Sequence, residues 1–301
     1  MENSHNCPNC DKEFNAEKSV KRLDKKFQDL SELLLQYMSD APLERTLRVN
    51  RASLLSERLA RIVGGFPTLG HPECCIIGTR NANNTVSWFC TGVLVAPQVV
   101  LTAAHCYKPN GLVIGLNMSD IANPASAEII PVRKAFVHPQ YSTTTGLNDM
   151  MVLLLQTPST VTPCPPATKE EMISSNQVTL VGFGNSDIQS TKGFGLKREV
   201  KVDIISIRRT PMEDLNLQES LFGFESDIEF VAGGDGHDSC NGDSGGPAYI
   251  EVDGIKKVAG LTSRATENAN NACGDGGIYT RVDAFLPFIK QVIVDFEVLT
   301  A

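Results

Sequence analysis

No stretch of this 301-residue chain is apolar for long enough to cross a bilayer as a helix, which takes about 18 residues or more. The longest candidate, LSELLLQYM, is broken by Glu32 and Gln36. A basic excess is lacking too: 27 Lys and Arg stand against 35 Asp and Glu, a formal net charge of -8. Phosphate-rich partners need clustered cations, so nucleic acid and anionic membrane surfaces are excluded as main partners. The opening residues MENSHNCPNCDKEF lack the basic head, apolar middle and small-residue cleavage site of a secretory leader. A cytoplasmic location is the expectation from that absence, with secretion as the alternative. Histidines number five, which leaves few candidates for a general base. An odd count of nine cysteines leaves at least one thiol unpaired.

What is present divides in two. Residues 1–61 are nearly balanced in charge, so almost all the acidic excess falls in residues 62–301. The first piece carries Cys7 and Cys10 in a CxxC with His5 just before it. This is half of a zinc site at most, because tetrahedral zinc wants four ligands and the next cysteines lie beyond residue 70. From Ala16 to Ser39, Val20, Leu23, Phe27, Leu30, Leu34 and Met38 recur at spacings of three and four, the stripe of an amphipathic helix. Such a stripe packs on its own domain, on a second copy, or on a regulatory protein. A second short helix is expected over Ala52 to Leu59.

Beyond Arg61 the texture turns to short β-rich runs, including VSWFCTGVLVAP, QVVLTAAH, GLVIGLN, EIIPVRKAFVHP, MMVLLLQTP, QVTLVGFG and EVKVDIISI. PAYIEVDGIKKVAGLTSR adds a hairpin turning at Asp253-Gly254. The pattern predicts an all-β barrel or sandwich preceded by a mainly helical segment. Phe285, Phe288, Ile289, Val292, Ile293 and Phe296 predict a closing amphipathic helix.

The run HDSCNGDSGGPAY, residues 237–249, is too polar and too rich in glycine for a core strand; a surface turn is one reading of it. A backbone shaped to expose Ser244 is the sharper one, and it needs partners. A serine hydroxyl is a weak nucleophile near neutral pH unless a base lies within hydrogen-bond reach and a third group orients that base. His5 sits in the cysteine group, His71 and His138 each precede proline, and His237 is close in sequence to Ser244. His105 ends the run VVLTAAHC and is followed by a cysteine that could pin its loop. Asp149 stands alone at the mouth of a very apolar strand, where a charge is costly unless paired.

IVGG at 62–65, TAAHC at 102–106, Asp149 before an apolar strand and DSCNGDSGGP at 238–247 together resemble the chymotrypsin and trypsin family of serine endopeptidases, in order and at fitting intervals. The resemblance covers about residues 62–296. It implies two six-stranded antiparallel β-barrels with a cleft between them. It further implies that Ser244 attacks the peptide carbonyl, that His105 relays the proton, and that Asp149 stabilises the imidazolium. Gly242 and Ser244 are the implied oxyanion donors. Asp238 falls at the floor of the pocket for the side chain before the cleaved bond, which implies protein substrates cut after Arg or Lys, with Ser263, Ala265 and Gly277 around that pocket. Cleavage between Arg61 and Ile62 would free an ammonium to pair with Asp243, making residues 1–61 a propeptide and the intact chain a zymogen. Cys90–Cys106 and Cys240–Cys273 match two of the family's disulfides, which suit an oxidising compartment. No cofactor is implied.

The chain departs from that pattern at Arg264, where the family has a large aromatic residue, and Ala265 adds a methyl group at the pocket rim. The expectation from Arg264 is that neighbouring subsites favour acidic residues. Val231 stands where one cysteine of a further disulfide would be, and Cys74, Cys75 and Cys164 are expected as buried thiols. Two alternatives to the zymogen remain: a latent intracellular protease switched by a partner bound to residues 1–61, and a non-catalytic binding protein on the same scaffold.

Overall fold

The structure, a computed structural model, describes residues 65–187 and 189–300. The expectations placed on His5, Cys7 and Cys10, on the two N-terminal helices, and on Arg61 and Ile62 lie outside these residues. The described chain starts with a two-residue strand, β1 (Phe66–Pro67), and then closes a first barrel. Its strands are β2 (Cys74–Arg80), β3 (Val86–Ala96), β4 (Val99–Thr102), β5 (Leu112–Leu116), β6 (Glu128–Val137) and β7 (Met151–Leu155), in the ring order β2-β3-β4-β7-β6-β5.

A second ring is made of β8 (Gln177–Gly182), β9 (Arg198–Ser206), β10 (Glu229–Ala232), β11 (Pro247–Val252), β12 (Ile255–Ala265) and β13 (Gly277–Arg281). They run β9-β10-β13-β12-β11-β8, and the pairing of β8 with β9 closes the ring while β1 adds to the outside of β9. Every pairing of named strands in both rings is antiparallel. Among the described residues, three α-helices accompany the strands: α1 (Lys169–Ser174), α2 (Asn216–Phe222) and α3 (Leu286–Thr300). Thr168 opens α1 through a reciprocal capping box with Glu171, which satisfies two otherwise orphaned amides.

The apolar pattern explains why the barrels adhere. An antiparallel strand with one wet face should alternate, yet β7 reads MVLLL without a break. Met151, Leu153 and Leu155 point into the first barrel with Ile77, Leu94, Val100 and Ile114. Val152 and Leu154 join a second cluster with Ile76, Val93, Leu101, Phe183, Val258 and Leu261, drawn from both barrels. A strand covered on both sides needs apolar residues on both sides, and β7 is such a strand. Helix α3 closes the shared cluster with Ile289 and Val292.

The hairpin turn falls where expected, with φ of 52° at Asp253 and 77° at Gly254, the positive pair that a two-residue turn between twisted strands requires. The run VVLTAAHC ends earlier than expected: β4 stops at Thr102, and His105 lies in a 3-10 turn, Ala104–Cys106.

Candidate active site

His105 is held at three points. The following residue, Cys106, is bonded to Cys90 on β3, which fixes the 3-10 turn to the barrel wall. Its backbone N–H donates to Asp149 Oδ1 at 2.9 Å, and its ring Nδ1 lies 2.7 Å from Asp149 Oδ2. Asp149 is 2 % exposed and also accepts the Ser263 hydroxyl at 2.7 Å. A carboxylate only accepts, so Nδ1 carries the proton and Nε2 of the neutral ring is left as the base. The imidazole is about one-third exposed, within reach of a ligand.

Ser244 comes from the other barrel, in the turn before β11. Thr91 on β3 fastens this turn twice: its N–H donates to the Ser244 carbonyl at 2.9 Å and its hydroxyl to the Gly242 carbonyl at 2.8 Å. Cys106 Sγ lies 3.5 Å from the same Ser244 carbonyl, so the residue after His105 touches the backbone of Ser244. Among the described residues, no hydrogen bond joins the His105 ring to the Ser244 hydroxyl, a contact that commonly tightens only when substrate arrives.

The turn demands glycine. Gly245 has φ of 75°, and a Cβ there would fall 2.0 Å from Thr102 Oγ1. Gly242 has φ of 100°, and a Cβ there would overlap the Phe194 ring and Gly184 Cα. Among the described residues, neither the Gly242 nor the Ser244 N–H has a backbone acceptor.

Asp243, the residue before the serine, is buried and points inward. It accepts from the N–H groups of Gly184 at 2.7 Å and Cys240 at 2.8 Å. Gly182 and Gly184 make the room, since a Cβ on either would come within 2.6 Å of the carboxylate. Burial pushes Asp243 up to about 7; the two amides and, at longer range, Arg198 pull it down, and nearby Asp238 adds to the rise.

Asp238 is buried as well. It accepts from Ser239 N–H at 2.7 Å, Ser239 Oγ at 3.3 Å, Tyr279 Oη at 3.0 Å and Gly276 N–H at 3.2 Å. Desolvation raises it to about 6 against the pull of these donors. Gly277 pairs across the sheet with Ala232 on one side and Ala265 on the other, so small residues crowd one level of the barrel beside Asp238. Cys240 is bonded to Cys273, which ties the Asp238 segment to the loop before β13.

The remaining described histidines have other employment. His71 is bonded to Glu199 at 2.8 Å and stacked on Tyr249, His138 packs edge-on against Phe285 and Phe288, and His237 faces the Asp235 carbonyl in its own exposed loop. Cys90, His105 and Cys106 place their donor atoms within 4.8 Å of one another, but the two sulfurs are spent on each other, leaving no metal-binding set. Cys74, Cys75 and Cys164 are buried free thiols, with burial pushing Cys164 up to about 12.

Sequence reasoning missed several supporting residues. Thr91, Gly182, Gly184 and Tyr279 carry no local signature; the glycines of VGFGN were the one visible hint. Ser263, expected around the pocket, has a further contact there: its hydroxyl donates to Asp149. The expectation that Arg264 draws acidic residues to neighbouring subsites loses its basis, because its guanidinium is already paired with Glu229.

Residues 62–289 match the family model described as Trypsin. Among curated proteins, the chain is 32% identical to a mouse (Mus musculus) protein named Tryptase over 260 residues, covering 77% of this chain and 88% of that one. It is 27% identical to Protein masquerade of Drosophila melanogaster over 266 residues, which covers 83% of this chain and 25% of that much longer protein.

Proposed function

Given that the chain belongs to the trypsin family of serine proteases, we propose that it is an endopeptidase that cleaves after Arg or Lys and is made as a zymogen. The observation that carries the catalytic part is the buried Asp149 carboxylate holding both the backbone and the ring of His105. In this reading Nε2 of His105 takes the Ser244 proton as Oγ attacks the scissile carbonyl, and later gives it to the departing amine. Asp149 stabilises the imidazolium without becoming protonated. The N–H groups of Gly242 and Ser244 stabilise the oxyanion, a contribution of about a hundredfold or more per donor.

Asp238 supports the choice of Arg or Lys. A buried carboxylate with only neutral donors gains most from a guanidinium or ammonium, and a neutral side chain would leave it without a counter-charge. Asp243 supports the zymogen: it is a second buried acid whose charged form is disfavoured until a cation reaches it. Cleavage after Arg61 would supply the ammonium of Ile62, and Arg61 itself fits the proposed specificity.

The test is to incubate the full chain and its Ser244→Ala variant with reporter peptides ending in Arg, Lys, Phe or Glu, and to sequence any new N-terminus. Hydrolysis of the Arg and Lys reporters by a species beginning at Ile62, absent in the variant, is the expected result. An active species that still begins at Met1 refutes the zymogen and favours activation through a partner of residues 1–61. Equal hydrolysis of all four reporters refutes the specificity.

A further inference from the structure

Strand β12 carries Ser263 to Asp149, and the next residue leads away from the site through charged groups. The Arg264 guanidinium meets Glu229 on β10 as a fork: Nη1 lies 2.5 Å from Oε1 and Nη2 lies 2.9 Å from Oε2. Glu229 is 1 % exposed and Arg264 24 %, so the pair is largely withdrawn from solvent. The same guanidinium donates to the Gly223 carbonyl at 2.9 Å and reaches the Gly146 carbonyl at 3.4 Å. The other oxygen of the fork is shared, since Glu229 Oε2 also accepts the Glu225 N–H at 2.9 Å.

Gly146 lies three residues before Asp149 in a loop closed by its own bonds, Gly146 N–H to the Ser142 carbonyl at 2.8 Å and Ser142 N–H to the Leu147 carbonyl at 3.1 Å. Its φ is 72°, and a Cβ there would sit 3.0 Å from Arg264 Cδ, so the arginine lies directly on this backbone. Arg264 therefore contacts the segment that carries Asp149 and adjoins Ser263, whose hydroxyl Asp149 accepts.

A buried ion pair gives little net stability, because desolvating both charges cancels most of their attraction. What a guanidinium fork does give is direction, with planar donors at fixed angles that a point-like ammonium lacks. We infer that Arg264, locked by Glu229, is a positioning residue that fixes the Asp149 loop and the Ser263 hydroxyl, and through them the orientation of the His105 ring. This rests on the reading of His105 as the general base.

The test uses the full chain, activated as above, and two variants. Arg264→Leu combined with Glu229→Leu removes both charges while keeping apolar bulk, a change that commonly preserves folding. Arg264→Lys keeps the ion pair and loses the fork. One readout is the split between kcat and KM on an Arg reporter. The other is the low-field proton resonance of His105 Nδ1–H, recorded without substrate, which reports the bond to Asp149 even if no peptide is cleaved. The double variant is expected to lose roughly tenfold in kcat with KM little changed and to show a broadened, upfield-shifted resonance; Arg264→Lys should show the same two changes at about a third of the size. Wild-type values of either readout in a folded double variant overturn the inference, and should that variant fail to fold, wild-type values in Arg264→Lys overturn it equally. Absence of hydrolysis in the parent chain would refute the proposed activity instead, leaving the resonance to decide this question.

Discussion

The two barrels each bury carboxylates beside the candidate site, and they treat them differently. Asp149, at the head of β7 in the first barrel, is 2 % exposed; Asp238 and Asp243, in the turn of the second, are 3 % and 2 % exposed. Burial is the same for all three, so the partners make the distinction. Asp149 faces an imidazole that can take up a charge, together with an amide and a hydroxyl. Asp238 has hydroxyls and amides only, and Asp243 has two amides with Arg198 acting from a distance, its own hydrogen bonds going to the Gly193 and Leu196 carbonyls. Desolvation wins at both, and both stand well above the usual carboxylate range. The first barrel holds a completed pair, and the second holds two acids that would gain from a cation supplied from elsewhere.

That contrast can be broken most severely at Asp149. Asp149→Asn keeps the shape but offers the ring an amide in place of an acceptor-only group, favouring the wrong tautomer; kcat on an Arg reporter should fall by about four orders of magnitude. Steady-state kinetics with active-site titration checks this, and a loss below tenfold would remove Asp149 from the orienting role.

Asp238→Ser should lower kcat/KM for Arg and Lys reporters by about a hundredfold or more, the scale of leaving a charge without its buried partner. Reporters with neutral side chains should lose little. For the parent protein, KM on the Arg reporter should rise as pH falls through about 6, where Asp238 takes up its proton.

Asp243 sharpens the contrast through stability. Its value is raised to about 7 in the fold, against roughly 4 in an unfolded chain. The protonated form is therefore favoured by folding, and the associated stability is present below about pH 4 and lost as pH rises through 7. Relative to an Asp243→Asn variant, the uncut parent should lose a few kcal/mol across that window, visible as a divergence of melting temperatures. The form cleaved at Arg61–Ile62 should show no such divergence if the ammonium of Ile62 reaches Asp243.

How much of this was legible beforehand differs by feature. Local patterns marked β3 to β9, β11, β12 and the closing helix, because each is long or bounded by turn residues. Strands β1, β2, β10 and β13 escaped notice. β10 is only four residues, EFVA, and β2 reads CCIIGTR, with cysteines that suggested stray thiols more than a barrel wall. Their identity as strands comes from register with distant partners, such as Val231 with Ile278. Val231 itself, expected as the gap left by a missing cysteine, packs with Phe224 and Ile278, so apolar contact occupies that place. At the site, His105, Asp149 and Ser244 stood out because their neighbours form recognisable runs. Glu229 did not, since its relation to Arg264 spans 35 positions and exists only once β10 and β12 flank β13.

Thr91 belongs to one barrel and binds the other. By gripping the carbonyls of Gly242 and Ser244 from β3, it makes the placement of the serine turn against the first barrel a property of the seam between the halves. Neighbouring loops can then differ in length and charge without loosening the hold of β3 on the Gly242–Ser244 turn.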